Sequence, residues 1–469
     1  MSHDVRSPRV ARALRGRLFT AAAALGAVAC GCASAVATQP LPERRPLGAD
    51  LAAYEAPIET GALPAAALPT TEPTGVLSLR DALALALERS PELAAFSWDV
   101  RVREAQALQA GLRPNPELGV EVEDFGGSGE ATGVDGSQST FALSQLLETA
   151  GKRSKRRRAG ELDAAVAGWE YETVRLEVFA AVVQAFSTVA AAQQRVALSE
   201  QLIRVAELAA ADVERLVAAG ATSQVEHTRA GVAVATARVD RESALRALAA
   251  ARARLAAIWG AQEVSFTSVA DDLPDAAAPP ALAEVRGRLE RNPELGRWDQ
   301  EIERRAAVVD LERARRYPDV SASAGARRLA ESDDAALVAG LSVPLPFFDR
   351  NQGARAAAES DLRKAEHERR AVEAQLAAEF ETAWQELDAR YVEVGALRAT
   401  IVPQAREAFE GVRRGYAQGL FRNVDVLDAQ RTLFELQLRE IEAVRAYHEA
   451  RAELERLTGM PLSGEEKTR

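Results

Sequence analysis

Two very long stretches with almost no helix breaker constrain this chain more than anything else in it. From Arg153 to Ala218 there is no proline, and only Gly160 and Gly168 interrupt. From Gln352 to Gln418 a single proline, Pro403, intrudes near the far end, with Gly395 and Gly411 along its length. At ~1.5 Å per residue, a helix of roughly 65 residues is a rod of roughly 100 Å, longer than any compact domain is wide. The apolar spacing is three and four, as in Phe179, Val182, Phe186 and Val189. After Gly220, Val225, Val232 and Val239 recur at sevens, and after Gly419 come Val424, Leu427, Phe434, Leu438 and Ile441. Narrow apolar seams of this kind pack helices as coiled coils, and the stripes are packing positions with no ligand to bind. Gly220 and Gly419 stand where each hairpin must reverse, as left-handed C-terminal caps. Composition agrees: 47% of residues are apolar and 27% charged, but only 5% are aromatic.

The chain is also written twice. Ser90-Pro91-Glu92-Leu93 recurs as Asn292-Pro293-Glu294-Leu295, Pro116 matches Pro318, and Gly220 matches Gly419. A period near 200 residues is too long for a solenoid and indicates duplication of a whole subdomain. In each half an N-cap residue followed by proline starts a helix that stops before the next proline. Two short segments then alternate: Leu118, Val120 and Val122 with Gly119, Glu121 and Glu123; Phe141 and Leu143 with Ala142 and Ser144. In the second half the apolar series are Val320 to Ala326 and Leu337 to Leu345. One apolar and one polar face fits a wall between lipid and water. Four strands cannot close, and an open edge in lipid leaves backbone groups unpaired, so chains must pool strands into one barrel. The competing reading is a soluble four-stranded periplasmic sheet. The fold expected is mainly α with a membrane β-barrel portion, built from a duplicated α-β-α unit.

The N-terminus reads as an export signal: five arginines precede an apolar run from Leu18 to Ala29 that is too short to span a membrane. Both cysteines fall at its end. Ala29-Cys30-Gly31-Cys32-Ala33-Ser34 resembles a bacterial lipoprotein cleavage site, with Cys32 the preferred acylated residue and Cys30 the alternative. Plain signal-peptidase cleavage after Ala29 is the competing reading. The chain divides into a signal (1–31), a Pro-rich extended tether (32–75), two repeats (76–260 and 281–459) and a disordered tail (460–469). No disulfide framework or thiolate metal site is available to the body. The formal net charge is −11; removing residues 1–31 takes away a net +4 and leaves −15. This argues against nucleic acid, whose phosphates need a basic face. No nucleotide loop, nucleophile with its base or metal-ligand cluster is present, so neither an enzyme nor a cofactor is expected.

Two local features stand out. Asp425 and Asp428 lie three apart at the start of a helix and share one face; compensation of the helix dipole is their plainest role. The run Lys152-Arg153-Ser154-Lys155-Arg156-Arg157-Arg158 sits at a helix N-terminus, where the dipole disfavours cations. Lipid headgroups, an acidic neighbouring chain or solvent must offset it.

Signal, tether, duplicated unit, strand pair, long rod and glycine-tipped hairpin together resemble the TolC family of outer-membrane efflux proteins, over roughly residues 76–459. Ser144 to Arg153 and Pro344 to Gly353 resemble the family's strand-to-helix junctions, and Tyr416-Ala417-Gln418-Gly419 with Asn423 to Gln430 resembles its second hairpin tip. The first junction and the lipoprotein-like site are most similar to the outer-membrane members of cobalt-zinc-cadmium resistance pumps. The resemblance implies a homotrimer with a twelve-stranded β-barrel in outer-membrane lipid, standing on a periplasmic α-barrel. It implies a passive exit duct for metal cations, partnered by a periplasmic adaptor docking at the tips (Gly220, Gly419) and an inner-membrane proton-driven pump. It further implies carboxylate rings of Asp425 and Asp428 at the periplasmic mouth, and a closing network that includes Tyr416 and Glu226. Phe421 stands where the family's closing arginine is expected, with Arg422 beside it. The alternatives are a periplasmic adaptor lipoprotein, and a TolC-type duct for drugs or secreted proteins.

Overall fold

In the computed structural model, residues 38–58, 72–271 and 273–462 are described. The expected signal segment, with Cys30 and Cys32, lies outside them. The first repeat begins with β1 (Gly75–Leu77), α1 (Leu79–Arg89) and α2 (Pro91–Ala110). After α2 come β2 (Glu117–Glu123), β3 (Gln138–Leu147), α3 (Lys152–Ala218) and α4 (Gln224–Ile258). Beyond β4 (Phe266–Val269) and α5 (Leu282–Arg286), the second repeat runs α6 (Pro293–Arg315), β5 (Val320–Leu329) and β6 (Asp334–Ser342). It closes with α7 (Gln352–Ala396), α8 (Val402–Ala417) and α9 (Asn423–Thr458). Ser90 and Asn292 cap α2 and α6 as expected: Ser90 accepts from Leu93 N–H, and Asn292 from Glu294 N–H. Proline follows each cap.

The first rod is one unbroken helix of 67 residues. The second is not. A π turn over Leu397–Ile401 separates α7 from α8, and Pro403 lies in the first turn of α8. Proline lacks the N–H that a continuous ladder needs, and a π turn is a usual way to absorb such a defect.

The strand order is β2-β3-β5-β6, antiparallel throughout, so the two repeats share one sheet. Its register aligns apolar residues in rows across all four strands: Val120, Phe141, Ala326 and Leu337 in one, Leu118, Leu143, Ala324 and Ala339 in the next. The opposite face carries Glu121, Thr140 and Arg327, with Arg327 hydrogen-bonded to Thr140 and Gln138 and paired with Glu123. Leu118 (72%) and Leu337 (86%) are largely exposed on the apolar face. β2 is seven residues long, and the others are nine or ten.

α3 is the hub, packing against α1, α2, α4, α6 and α9. An 18-residue window of it is apolar enough to cross a membrane (mean hydropathy 1.5), but 67% of that window is buried among other elements, as in a core helix. The α4 seam is built of alanines, Ala230, Ala237, Ala244 and Ala251, which let helix backbones approach closely.

The described part of the tether, residues 38–58, is no free linker. Leu47, Leu51 and Ala56 are buried in the core. Arg175, wholly buried, pairs with Glu172 at 2.8 Å and donates to the carbonyls of Leu47 (2.9 Å) and Arg45 (3.1 Å). Glu172 in turn accepts from Arg45 N–H at 2.6 Å, and Tyr171 Oη donates to Tyr54 O. Burial pushes the Tyr171 phenol up to about 12.

Much of the basic run finds partners within the chain. Lys152 Nζ meets Asp319 at 2.7 Å and Arg156 meets Glu148 at 2.6 Å. Arg153 and Arg156 also donate to the carbonyls of Gly111 and Ala110, at the C-terminus of α2, where the dipole favours cations.

Two measurements follow. Arg175→Met leaves Glu172 buried and unpaired, and should cost about 3–5 kcal/mol by thermal unfolding; the double variant Arg175→Met/Glu172→Leu should recover most of it. His448, buried in α9, has its pKa lowered from 6.5 to about 4, first by burial, then by Arg451 and Arg398 against the opposing pull of Asp275. The unfolded chain therefore binds more protons between those values. Stability should be full above pH 6.5, fall as pH drops towards 4 and level off below, a change on the order of 2–3 kcal/mol. In His448→Phe that slope should flatten.

Candidate functional site

The two hairpin tips are built alike because the same local chemistry ends both helices. At the first, Gly220 has φ 71° and donates to Val217 O, while Ala221 N–H reaches back to Leu216 O. At the second, Gly419 has φ 76° and donates to Tyr416 O, while Leu420 N–H reaches Gly415 O. Both are Schellman motifs, which need a residue tolerant of positive φ at that one position.

Between the tips lies a cavity of about 1100 Å³. Tyr416, Glu226 and Arg422, singled out from the sequence, all line it, together with Asp212, Phe409 and Gln430. Glu226 accepts from Arg229 at 2.9 Å and from Asn423 Nδ2 at 3.2 Å; the second bond joins the two hairpins. Burial raises the Tyr416 pKa, helped by the negative charges of Asp212 and Glu226. Tyr416 and Glu226 thus share the cavity. Phe421 folds back onto its own hairpin: a Cβ placed on Gly415 would come within 2.4 Å of its ring. An aromatic side chain there packs locally, where an arginine would reach outward.

Asp425 and Asp428 do not line the cavity. Asp425 accepts the Arg422 backbone N–H at 2.8 Å and so caps α9, while Asp428 is exposed one turn further on. The two keep the shared face expected from their spacing. Asn423, buried at the start of α9, was missed in the sequence because asparagine before a helix reads as a cap. Among the described residues no group of three or more His, Cys, Asp or Glu side chains is placed to hold a metal ion.

A duplicated helical hairpin, with each repeat giving two strands to one shared sheet, defines a class of transport duct. The chain belongs to the family of outer membrane efflux proteins, which it matches over residues 82–261 and 286–460. Over 388 residues it is 34% identical to the cobalt-zinc-cadmium resistance protein CzcC of Cupriavidus metallidurans, covering 83% of this chain and 91% of that one. Its fold is similar to that of a membrane protein from Pseudomonas aeruginosa, with TM-score 0.70 and 22% identity over 81% of this chain and 93% of that one. The outer membrane protein VceC of Vibrio cholerae is also similar, with TM-score 0.67 and 20% identity over 82% and 97%. This chain is therefore an efflux channel of the outer membrane with its helical portion in the periplasm, and the adaptor alternative is set aside.

Asn423→Ala should loosen the tips without unfolding the rods. Limited proteolysis at the turns around Gly220 and Gly419 should quicken several-fold, while the melting temperature stays within a degree or two, as for loss of one partly exposed hydrogen bond.

Proposed function

We propose that this channel is the exit duct of a tripartite pump for divalent metal cations, working as a homotrimer. The observation that carries the trimer is the sheet: its apolar face is exposed, and among the described residues both of its outer strands, β2 and β6, lack a partner on one side. Three copies give twelve strands, enough to close a barrel and pair every edge in lipid. The metal cargo is supported by the likeness to a cobalt-zinc-cadmium resistance protein, which favours it over drugs or secreted proteins. A duct of this kind supplies no energy, so a periplasmic adaptor and an inner-membrane pump complete the system. An acyl group on Cys32, or on Cys30, would add a lipid anchor, and the docked segment 38–58 would fix where that anchor leaves the body.

At the periplasmic end, Asp425 and Asp428 form carboxylate rings, three copies of each, that concentrate cations and repel anions. Glu226, Tyr416 and Arg422 line the cavity beside them, the Asn423–Glu226 bond holds the tips together, and the tips around Gly220 and Gly419 receive the adaptor. In planar bilayers, Asp425→Asn/Asp428→Asn should lose cation selectivity and its blockade by divalent ions, with the trimer as heat-stable as the parent. If the double variant conducts and blocks as the parent does, the aspartates are helix caps and nothing more.

A further inference from the structure

Each repeat enters the sheet from a helix, turns at the far end and returns to a helix, so all four strand-to-helix junctions lie together at the helical end of the sheet. β3 and β5 are ten residues each; at ~3.4 Å per residue and a tilt of ~40° they cover roughly 25 Å, the height of a barrel's apolar band. The junctions therefore fall at headgroup depth, on the periplasmic side where the helical portion lies.

The junctions expose apolar bulk. Leu147, Val343 and Leu345 carry the apolar face of the sheet to its helical end, and all three are exposed. Beyond the strands, Tyr317 and Phe347 are exposed too, and Phe348 is 94% open. Between the two middle junctions an open cavity of about 530 Å³ is lined by Thr149, Ala150, Tyr317 and Pro318. Aromatic side chains at such a boundary lie between acyl chains and water, and tyrosine suits both.

The junctions also carry unpaired positive charge. Arg113, Lys155, Arg316 and Arg350 stand one at each junction, and among the described residues none has a carboxylate partner. The carboxylates nearby are already engaged: Glu148 by Arg156, Asp319 by Lys152, Glu312 by Arg315, and Asp349 by the Asn351 N–H. Glu117 alternates with Leu118 and so lies on the opposite face of the sheet. In a chain of net charge −11, whose other arginines are mostly paired, four unpaired cations at one level are not a product of composition.

We propose that the junctions form a collar that binds the phosphates of anionic phospholipids in the periplasmic leaflet, with Tyr317, Phe347 and Phe348 among the upper acyl carbons. The collar rests on the reading of the sheet as part of a lipid-embedded barrel, and adds which lipid that barrel selects. A guanidinium gives a phosphate two parallel N–H bonds. A zwitterionic headgroup brings an ammonium that these cations repel, so a headgroup of net negative charge, as in phosphatidylglycerol, is favoured.

The test is lipid binding by the detergent-solubilised full chain, read by native mass spectrometry with phosphatidylglycerol, phosphatidylethanolamine or phosphatidylcholine added to the micelles. Phosphatidylglycerol should bind about tenfold more tightly than either zwitterionic lipid, the order expected for a few cations near an anionic surface. Arg113→Gln/Lys155→Gln/Arg316→Gln/Arg350→Gln should bring the three lipids to within about twofold of one another, with the melting temperature in lipid-free detergent unchanged. Should that variant fail to fold, Arg113→Gln and Arg316→Gln, each alone at an exposed position, should lower the preference about two- to threefold. Arg238→Gln, far along α4, should leave it as it is. Equal binding of the three lipids by the parent overturns the collar, as does a preference that the fourfold variant keeps. So does a preference abolished by glycerol phosphate in solution, which assigns the junctions to free phosphate. A chain that conducts in phosphatidylcholine bilayers yet shows no preference sinks the collar and leaves the barrel standing; one that conducts in no bilayer and shows none sinks both.

Discussion

The burial of the middle of α3, from Leu162 to Ala191, is the interaction on which the rest depends. Alpha-helical rods of this length have seams too narrow for a globular core, so each helix needs a neighbour along most of its length. α3 supplies that neighbour for α2, α4, α6 and α9 in turn. It is also where the chain accepts its most expensive polar group. Arg175 and Glu172 are out of water, and such a pair stabilises only when every donor and acceptor is used. Here the remaining donors go to carbonyls of the segment around Leu47, so the N-terminal strand of chain is held by the pair rather than by apolar contact alone. The same segment donates Leu47 N–H to Gly459 O, tying the end of the second repeat to the segment that precedes the first.

Charge elsewhere is managed by proximity. Many arginines on the helices have a glutamate three or four residues away, as Arg304 and Arg305 have Glu301, or Arg445 has Glu442. Each exposed pair is worth a few tenths of a kcal/mol and does little for stability. Their effect is on solubility and on the choice of neighbour: a helix covered in such pairs leaves only its apolar stripes to be buried. The cross-helix pairs, Arg439 with Glu393 and Arg398 with Glu440, sit beside the π turn, where the regular ladder is interrupted.

The rods, the glycine turns, the caps at Ser90 and Asn292, and the strand pairs could be read from periodicity and punctuation, because those signals are local. The row of helices could not. Nothing in the spacing of α4 says which face meets α3, since alanines and valines both recur at sevens; the smaller side chains face inward because close packing on α3 leaves no room for larger ones. The docking of residues 38–58 was equally hidden, because a proline-rich segment looks alike whether it is solvated or laid in a groove. Arginines at the N-terminus of α3 seemed to need an outside partner. Their acceptors are the last carbonyls of α2, which only the folded chain brings near. At the tips, Tyr416, Glu226 and Arg422 do meet in one cavity, but the bond that joins the hairpins comes from Asn423, whose residue type suggests only a cap.

Duplication explains the matched tips, and the departures from it show where the halves took different work. In the first half the long rod is continuous and its neighbours bury it. In the second, Pro403 removes a donor and the π turn shifts the helix phase by part of a turn. A phase shift changes which face points inward: above it Leu387 and Val394 are buried, and below it Val402 and Phe409 are. The second hairpin then runs on to its turn at Gly419. Phe421, packed on Gly415 just beyond it, ends that hairpin with a contact inside its own turn, and leaves the bond between Asn423 and Glu226 to hold it to the first.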